Sequence, residues 1–433
     1  MPARHHYPIG SIELFLDLVL TAAASLRCAG RAIEIMGAVL EQPLPAPSWF
    51  AGRLWLQRLG YYKLTRRKEQ ADDWVWIVDH TVQIGKEKCL VILGIRLQDL
   101  PPVGCCVEHQ DVEPLELVPV EQSNGEVVYQ QLEAVIEKTG EPREIISDHG
   151  TDLKAGIVKF CQHHPRTSAI YDIKHKTAAI LKRELEQDAD WKLFTRLAGQ
   201  TKLQVQQTAL AALAPPNQKS KARYMNVDVL VTWGQTTLVW LDQAPSEIEP
   251  TFDVAQVKLK LGWVPRFRSQ LAHWGELFQL VHITESFVRQ TGLYQGANFD
   301  LACRLQHVVV STERTQKVRR ELVTFVAQEE AKTQPYERLL GSSEVIESVL
   351  GKMKRLEQDQ AKSGFTGLVL GISAMVSSTT NEVIQQALET VPTKQVWAWC
   401  REKLGQSVQS KRREVLAASK NAEQKRNQLL LSG

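Results

Sequence analysis

The sequence predicts an α/β fold whose strand-bearing part is followed by a long, mostly helical stretch. Three observations predict it. Between Asp73 and Ile173 the apolar residues switch between a period of two and a helical period, in the order strand, strand, strand, helix, strand, helix, strand. Residues 177–335 then read as almost entirely helical and carry five tryptophans. The helical pattern resumes at Ser342. With 433 residues, 43% hydrophobic and 23% charged, the chain can bury a large core and divide into two to four domains.

The elements follow in order. Residues 11–41 carry the pattern of two helices, and Pro43, Pro45 and Pro47 break the chain before a second segment, SWFAGRLWLQRLGYYKLTRRK. Its apolar positions Trp49, Leu54, Leu56 and Leu59 have helical spacing, and Gly60 reads as the end of the helix. Arg53, Arg58, Lys63, Arg66, Arg67 and Lys68 occupy the other positions, a pattern shared by small helical DNA-binding units and by a helix that caps the next domain. WVWIVDHTVQIGKEKCLVILGI reads as a strand ending near Asp79, a turn at Gly85 and Lys86, and a second strand. A third strand is expected at Leu115 to Val120, then a helix in EVVYQQLEAVIEKTG stopped by Gly140. REIIS forms the fourth strand, ending at Asp148, and SAIYDI the fifth.

Charge is unevenly spread. Residues 1–70 hold nine Lys and Arg against five Asp and Glu, residues 391–433 hold nine against three, and the stretch between them is acidic overall. That asymmetry suits a chain whose ends hold a polyanion and whose middle holds acidic side chains for metal. Seven cysteines without regular spacing argue against a disulfide framework and for a reducing compartment. Cys161, His163, His164 and His175 are zinc-ligand types at a spacing that fits no standard site. No stretch reaches the roughly 18 uninterrupted apolar residues of a membrane span, so a cytoplasmic protein is expected.

Chemistry enters through two aspartates. Asp79 and Asp148 each follow an apolar strand, where a side chain opens into the crevice at the carboxyl ends of a sheet. Asp148 also fits a turn, and Asp152 fits a helix cap. If their strands are neighbours, the two carboxylates repel unless a cation lies between them. Mg²⁺ is such a cation, and a pair of ions can clamp the attacking and leaving oxygens of a phosphoryl displacement. A third acid is expected in SSEVIESVLGKMK, where Glu347 and Lys354 lie seven residues apart on one helix face, with Glu344 one turn earlier as the alternative.

Asp79 after WVWIV, Asp148 in IISDHG, and a late helix with Glu347 and Lys354 resemble the DDE transposases of bacterial insertion sequences. Asp172 and His175, in YDIKH, match the (C/D)xxH element of many such enzymes. The Tyr and Arg that precede the Glu in one version of the helix are replaced by Leu340 and Ser343. The resemblance spans residues 73–375. It implies an RNase H-like catalytic domain with a mixed sheet flanked by helices, Asp79, Asp148 and Glu347 as catalytic ligands of two Mg²⁺ ions (Mn²⁺ substituting), and Lys354 as a phosphate anchor. Asp172 and His175 would be accessory.

The implied organisation is a helical DNA-binding region over 1–70, the catalytic domain over 71–178 and 339–390, a helical insertion over 179–338, and a basic helical tail over 391–433. Arg53, Arg58, Arg66, Arg67 and Lys68 are the expected DNA contacts. Trp263 with Arg266 and Arg268 supplies an aromatic ring beside cations, the combination needed to stack a flipped base, with Trp274 as second choice. The partners would be double-stranded DNA, as terminal inverted repeats and target, and further copies of the chain in a dimer or higher oligomer. A domesticated DNA-binding protein, or an RNase H-like nuclease without strand transfer, are the competing expectations.

Overall fold

The structure is a computed structural model. It describes residues 6–41, 44–82, 88–101, 105–218, 227–243, 253–358, 366–405 and 412–417. The expected turn at Gly85 and Lys86 lies outside the described residues. The chain divides into two compact units. Unit 1 comprises Met1–Pro102, Cys106–Ile170 and Ser343–Gly433, and unit 2 comprises Val103–Cys105 and Tyr171–Ser342.

Unit 1 begins with helices α1 (Ile9–Leu20), α2 (Leu26–Val39) and α3 (Trp49–Thr65). Strands β1 (Trp74–Val82), β2 (Lys88–Arg96) and β3 (Glu113–Val120) follow, then α4 (Gly125–Thr139), β4 (Glu144–Ser147), α5 (Thr151–His163) and β5 (Ser168–Tyr171). Asn124 caps α4 by accepting from the Val127 N–H, and Gly140 ends it with φ +86°. The sheet order is β3-β2-β1-β4-β5. β1 runs antiparallel to β2, β2 antiparallel to β3, and β1 parallel to β4.

Side chains alternate across a strand, so Trp74, Trp76 and Val78 share one face of β1. They join Ile145, Val128, Leu132, Leu153, Ile157 and Phe160 in a buried cluster under α4 and α5. Val75 and Ile77 are equally buried and point the other way, toward the side on which helix Glu344–Gln358 meets β1. A sheet buried on both faces explains why these strands read as near-continuous apolar runs.

Unit 2 is helical: α6 (Ile173–Glu186), α7 (Ala189–Val205), α8 (Asp228–Asp242), α9 (Val254–Leu261), α10 (Arg268–Thr291), α11 (Ala297–Leu305) and α12 (Glu313–Glu330). The 24-residue α10 is its spine, packed by α6, α8, α11 and α12. Unit 1 then resumes with α13 (Glu344–Gln358), α14 (Leu370–Ala374), α15 (Asn381–Thr390) and α16 (Thr393–Leu404).

Two expectations need correction. β1 does not stop at Asp79 but pairs through Val82, because β2 continues alongside it from Lys88. Gly60 does not end a helix. It lies inside α3, where a Cβ would stand 1.9 Å from the Leu370 carbonyl oxygen, so the glycine permits close approach of α3 to α14. The segment carrying it is accordingly part of unit 1's core, with Leu56, Leu59 and Leu64 buried.

Candidate active site

The pairing of β1 with β4 runs Val75 to Glu144, Trp76 to Ile145, Ile77 to Ile146 and Val78 to Ser147. The next residue of each chain is Asp79 in one and Asp148 in the other. Neighbouring strands lie about 4.8 Å apart, and partners in a parallel register point to the same face. Val78 belongs to the cluster under α4 and α5, so Asp79 comes out on the opposite face, the one α13 meets, and Asp148 directly follows the end of β4. Each is half-buried. The His80 N–H donates to Asp79 Oδ1 at 2.6 Å, and the Gly150 N–H donates to Asp148 Oδ1 at 2.8 Å. His149, between Asp148 and Gly150, is held at φ +57°, a left-handed conformation that costs energy in a non-glycine residue and is concentrated at functional sites.

Behind the pair lies a polar network that the sequence did not reveal. His80 follows Asp79 and so points to the α4 and α5 side. Its Nδ1 lies 3.7 Å from Asp152 Oδ2, and its Nε2 lies 3.3 Å from the Ser123 hydroxyl. Lys88 donates to the same Asp152 oxygen at 2.7 Å. Burial alone would raise the Asp152 pKa. Hydrogen bonds from Lys88 and Ser123, with the charges of His80 and Lys88, outweigh that and bring it down to about 2. Burial lowers the pKa of His80, and Asp152 opposes the shift. Asp152 also meets its sequence expectation in part, since its Oδ1 accepts from the Leu153 N–H at 3.1 Å in the first turn of α5.

Glu344 and Glu347 both stand in the first turn of α13, and both are half-buried. The buried stripe Val345, Ile346, Val349, Leu350, Met353 and Leu356 fixes the rotation of that helix. At 100° per residue, Glu347 and Lys354 lie together beside the Leu350 edge of the stripe, and Glu344 is displaced about 60° further from it. The opposite edge is taken by His109, whose Nε2 lies 3.0 Å from the Ser348 hydroxyl and whose Nδ1 lies 3.1 Å from Lys352 Nζ. Lys354 is exposed.

The donor chemistry of Asp79 and Asp148 suits a hard divalent cation, and their strands put them side by side. Among the described residues, however, no three or more His, Cys, Asp or Glu groups are gathered into a metal-binding arrangement. The pairing of β1 with β4 sets the backbones just before the first two acids side by side. Cys161, His163 and His164 form no such group either. The His163 ring nitrogen lies 2.9 Å from the Lys159 carbonyl, and His164 pairs with Glu133 at 2.9 Å while stacking on Phe160.

The expected DNA contacts of the first 70 residues fare differently. Arg58 Nε donates to the Val391 carbonyl at 2.6 Å and Nη2 to that of Leu388, capping the carboxyl end of α15. Arg66 and Lys68 grip Glu113, whose pKa falls to about 2 because these cations outweigh its burial. Arg53 is half-buried and its pKa is lowered by burial. Arg58, Arg66 and Lys68 therefore have partners inside unit 1, whereas Arg53 is only half-buried. Arg67 is exposed.

In unit 2, Trp263 donates its indole N–H to Thr201 at 2.8 Å and packs against Phe194, Trp233 and Phe267. Trp274 is 1% exposed. Arg268 forms a bidentate pair with Asp242 at 2.7 and 2.8 Å, whereas Arg266 is exposed. The Trp263 ring thus packs within an aromatic cluster, while Arg266 and Arg268 both lie at the surface. Asp172 is buried and caps α6 by accepting from the His175 N–H at 2.8 Å. The Asp-to-His spacing is thus that of a helix cap reaching its third residue.

No protein family matches the sequence, and no curated protein is similar to it. Among solved structures, the Drosophila P element transposase strand transfer complex is similar over 89% of this chain and 93% of that chain, with a TM-score of 0.39 and 10% sequence identity. No helix among the described residues is long and apolar enough to cross a membrane.

Proposed function

We propose that unit 1 is an RNase H-like phosphoryl-transfer domain and that the chain is a DNA transposase of the DDE type. The observation that supports this reading is the parallel pairing of β1 with β4 through Val78 and Ser147, after which Asp79 and Asp148 are the next residues of the two segments. The strand order β3-β2-β1-β4-β5, antiparallel through β1 and parallel beyond it, supports the RNase H-like assignment. Asp79 and Asp148 would hold Mg²⁺, with Mn²⁺ able to replace it and Glu347 as the third ligand. A divalent ion there supplies charge stabilisation for an oxygen attacking a phosphodiester. Lys354, on the same edge of α13 as Glu347, would position phosphate. Terminal inverted repeats, target DNA, a dimeric or higher assembly and an origin in a bacterial insertion sequence rest on the sequence resemblance.

The test is incubation of the full chain with Mg²⁺ and the DNA flanking its gene, scoring strand cleavage and strand joining separately. Cleavage that Asp79→Asn and Asp148→Asn each abolish, with melting temperature kept, supports the domain assignment. Joining of the released ends supports transposition. One observation favours a second reading: Arg58, Arg66 and Lys68 have internal partners, which removes much of the expected end-recognition surface. Cleavage without joining would identify an RNase H-like nuclease. DNA binding without any metal-dependent cleavage would identify a domesticated binding protein.

A further inference from the structure

The network of His80, Asp152, Lys88 and Ser123 is not needed to hold a cation, yet it joins four chain segments behind the two aspartates. His80 directly follows Asp79 on β1. Asp152 stands four residues after Asp148, in the first turn of α5. Lys88 opens β2, paired with Val82 at the end of β1. Ser123 lies just before the Asn124 cap of α4. The hydroxyl of Ser123 can donate to Asp152 and accept from the His80 Nε2–H, closing a chain from β1 through the α4 loop to α5.

Backbone hydrogen bonds between β1 and β4 end at Val78 and Ser147. Beyond that point the spacing of the two aspartates depends on what ties β1 to the turn after β4. That turn is short and constrained: His149 is left-handed, Gly150 donates to Asp148, and Lys154 donates to the Gly150 carbonyl at 2.8 Å. A carboxylate two residues after Gly150, held by Lys88 and His80, is a side-chain tie at that place. We propose that His80 and Asp152, braced by Lys88 and Ser123, are positioning residues that set the separation of Asp79 and Asp148 and with it the affinity of the pair for a divalent cation. This rests on the reading of the two aspartates as a metal site.

The experiment measures Mn²⁺ binding to the full chain by calorimetry, alongside the Mg²⁺ dependence of DNA cleavage and the melting temperature in chelator. Asp152→Asn keeps the shape of the side chain and removes the charge that Lys88 and His80 face. It should weaken Mn²⁺ binding by about tenfold or more, the scale on which ligand-orienting groups act. The half-saturating Mg²⁺ concentration should rise by a similar factor, and cleavage should recover when Mg²⁺ is raised. Asp152→Glu should restore part of the affinity. Should Asp152→Asn fail to fold, Lys88→Met, at the more exposed end of the network, carries the test with a smaller shift of the same sign.

A lower melting temperature with unchanged Mn²⁺ affinity would overturn the proposal, showing a structural clasp with no bearing on the cation. The control is Asp79→Asn. If that variant loses Mn²⁺ binding while Asp152→Asn and Lys88→Met keep it, the positioning inference fails and the metal site stands. If Asp79→Asn keeps full Mn²⁺ binding, the metal site fails and the inference with it.

Discussion

The third acid is the residue on which the site turns. Glu347 and Glu344 share the first turn of α13 and the same degree of burial, so only rotation separates them. Glu347 lies nearer the buried stripe that packs α13 on the sheet, and it shares its edge with Lys354. Glu347→Gln is therefore expected to lower Mg²⁺-dependent cleavage by several orders of magnitude, as loss of a metal ligand does. Glu344→Gln should lower it by less than about tenfold. Initial rates of cleavage at saturating Mg²⁺ decide the ranking, and the reverse order would move the ligand back by three residues. At this scale the sequence pointed to Asp79 and Asp148 as candidates, because a carboxylate after an apolar run is a local signal, although β1 continues past Asp79 to Val82. It was silent on His80, Lys88 and Ser123, because a contact between β1, β2 and the α4 loop has no signature within any one of them.

Elements explain why the basic positions of α3 admitted two readings. Alternating cations and apolar residues look alike on a DNA-binding helix and on a helix whose cations cap its neighbours; packing alone distinguishes them. Lys63 is fully buried and its Nζ contacts the carbonyls of Ala374 at 3.3 Å, Val376 at 2.8 Å and Ser377 at 2.9 Å. It thereby satisfies carbonyls at and just past the end of α14, while burial pulls its own pKa down to about 7. Arg58 does the same for α15. Arg58→Ala should thus destabilise unit 1 by about 1–3 kcal/mol, the cost of unpairing buried carbonyls, in urea unfolding. Arg67→Glu should leave stability within about 0.5 kcal/mol of the parent, as surface substitutions do. Gly60→Ala should destabilise strongly, since its methyl group would meet the Leu370 backbone. In unit 2, burial pushes Glu285 on α10 up to about 7, against the hydrogen bond from Thr177 on α6 and the charge of Lys174. A raised carboxyl pKa means that the folded state binds more protons between about pH 4.5 and 7. Its contribution to stability is complete below that window and is lost as pH rises through it. Glu285→Gln should flatten the stability profile of unit 2 across this window, as read by denaturant unfolding at each pH.

For the whole molecule, the alternation of periods marked where the sheet lies and where the chain turns helical. The long segment of unit 2 begins at Tyr171, where the strand SAIYDI passes directly into α6 through the Asp172 cap. Strand order and register were beyond the sequence, since hydrogen-bond partners are chosen by long-range packing and a strand pattern fixes only which residues share a face. That register turns two separated aspartates into one proposed site, and it is open to direct measurement. Crystals of the full chain soaked in Mn²⁺ and measured at the manganese edge should show anomalous density between the Asp79 and Asp148 carboxylates, lost in Asp148→Asn crystals. Manganese bound elsewhere, or carboxylates more than about 10 Å apart, well beyond the roughly 4 Å scale of a two-metal centre, would contradict the account.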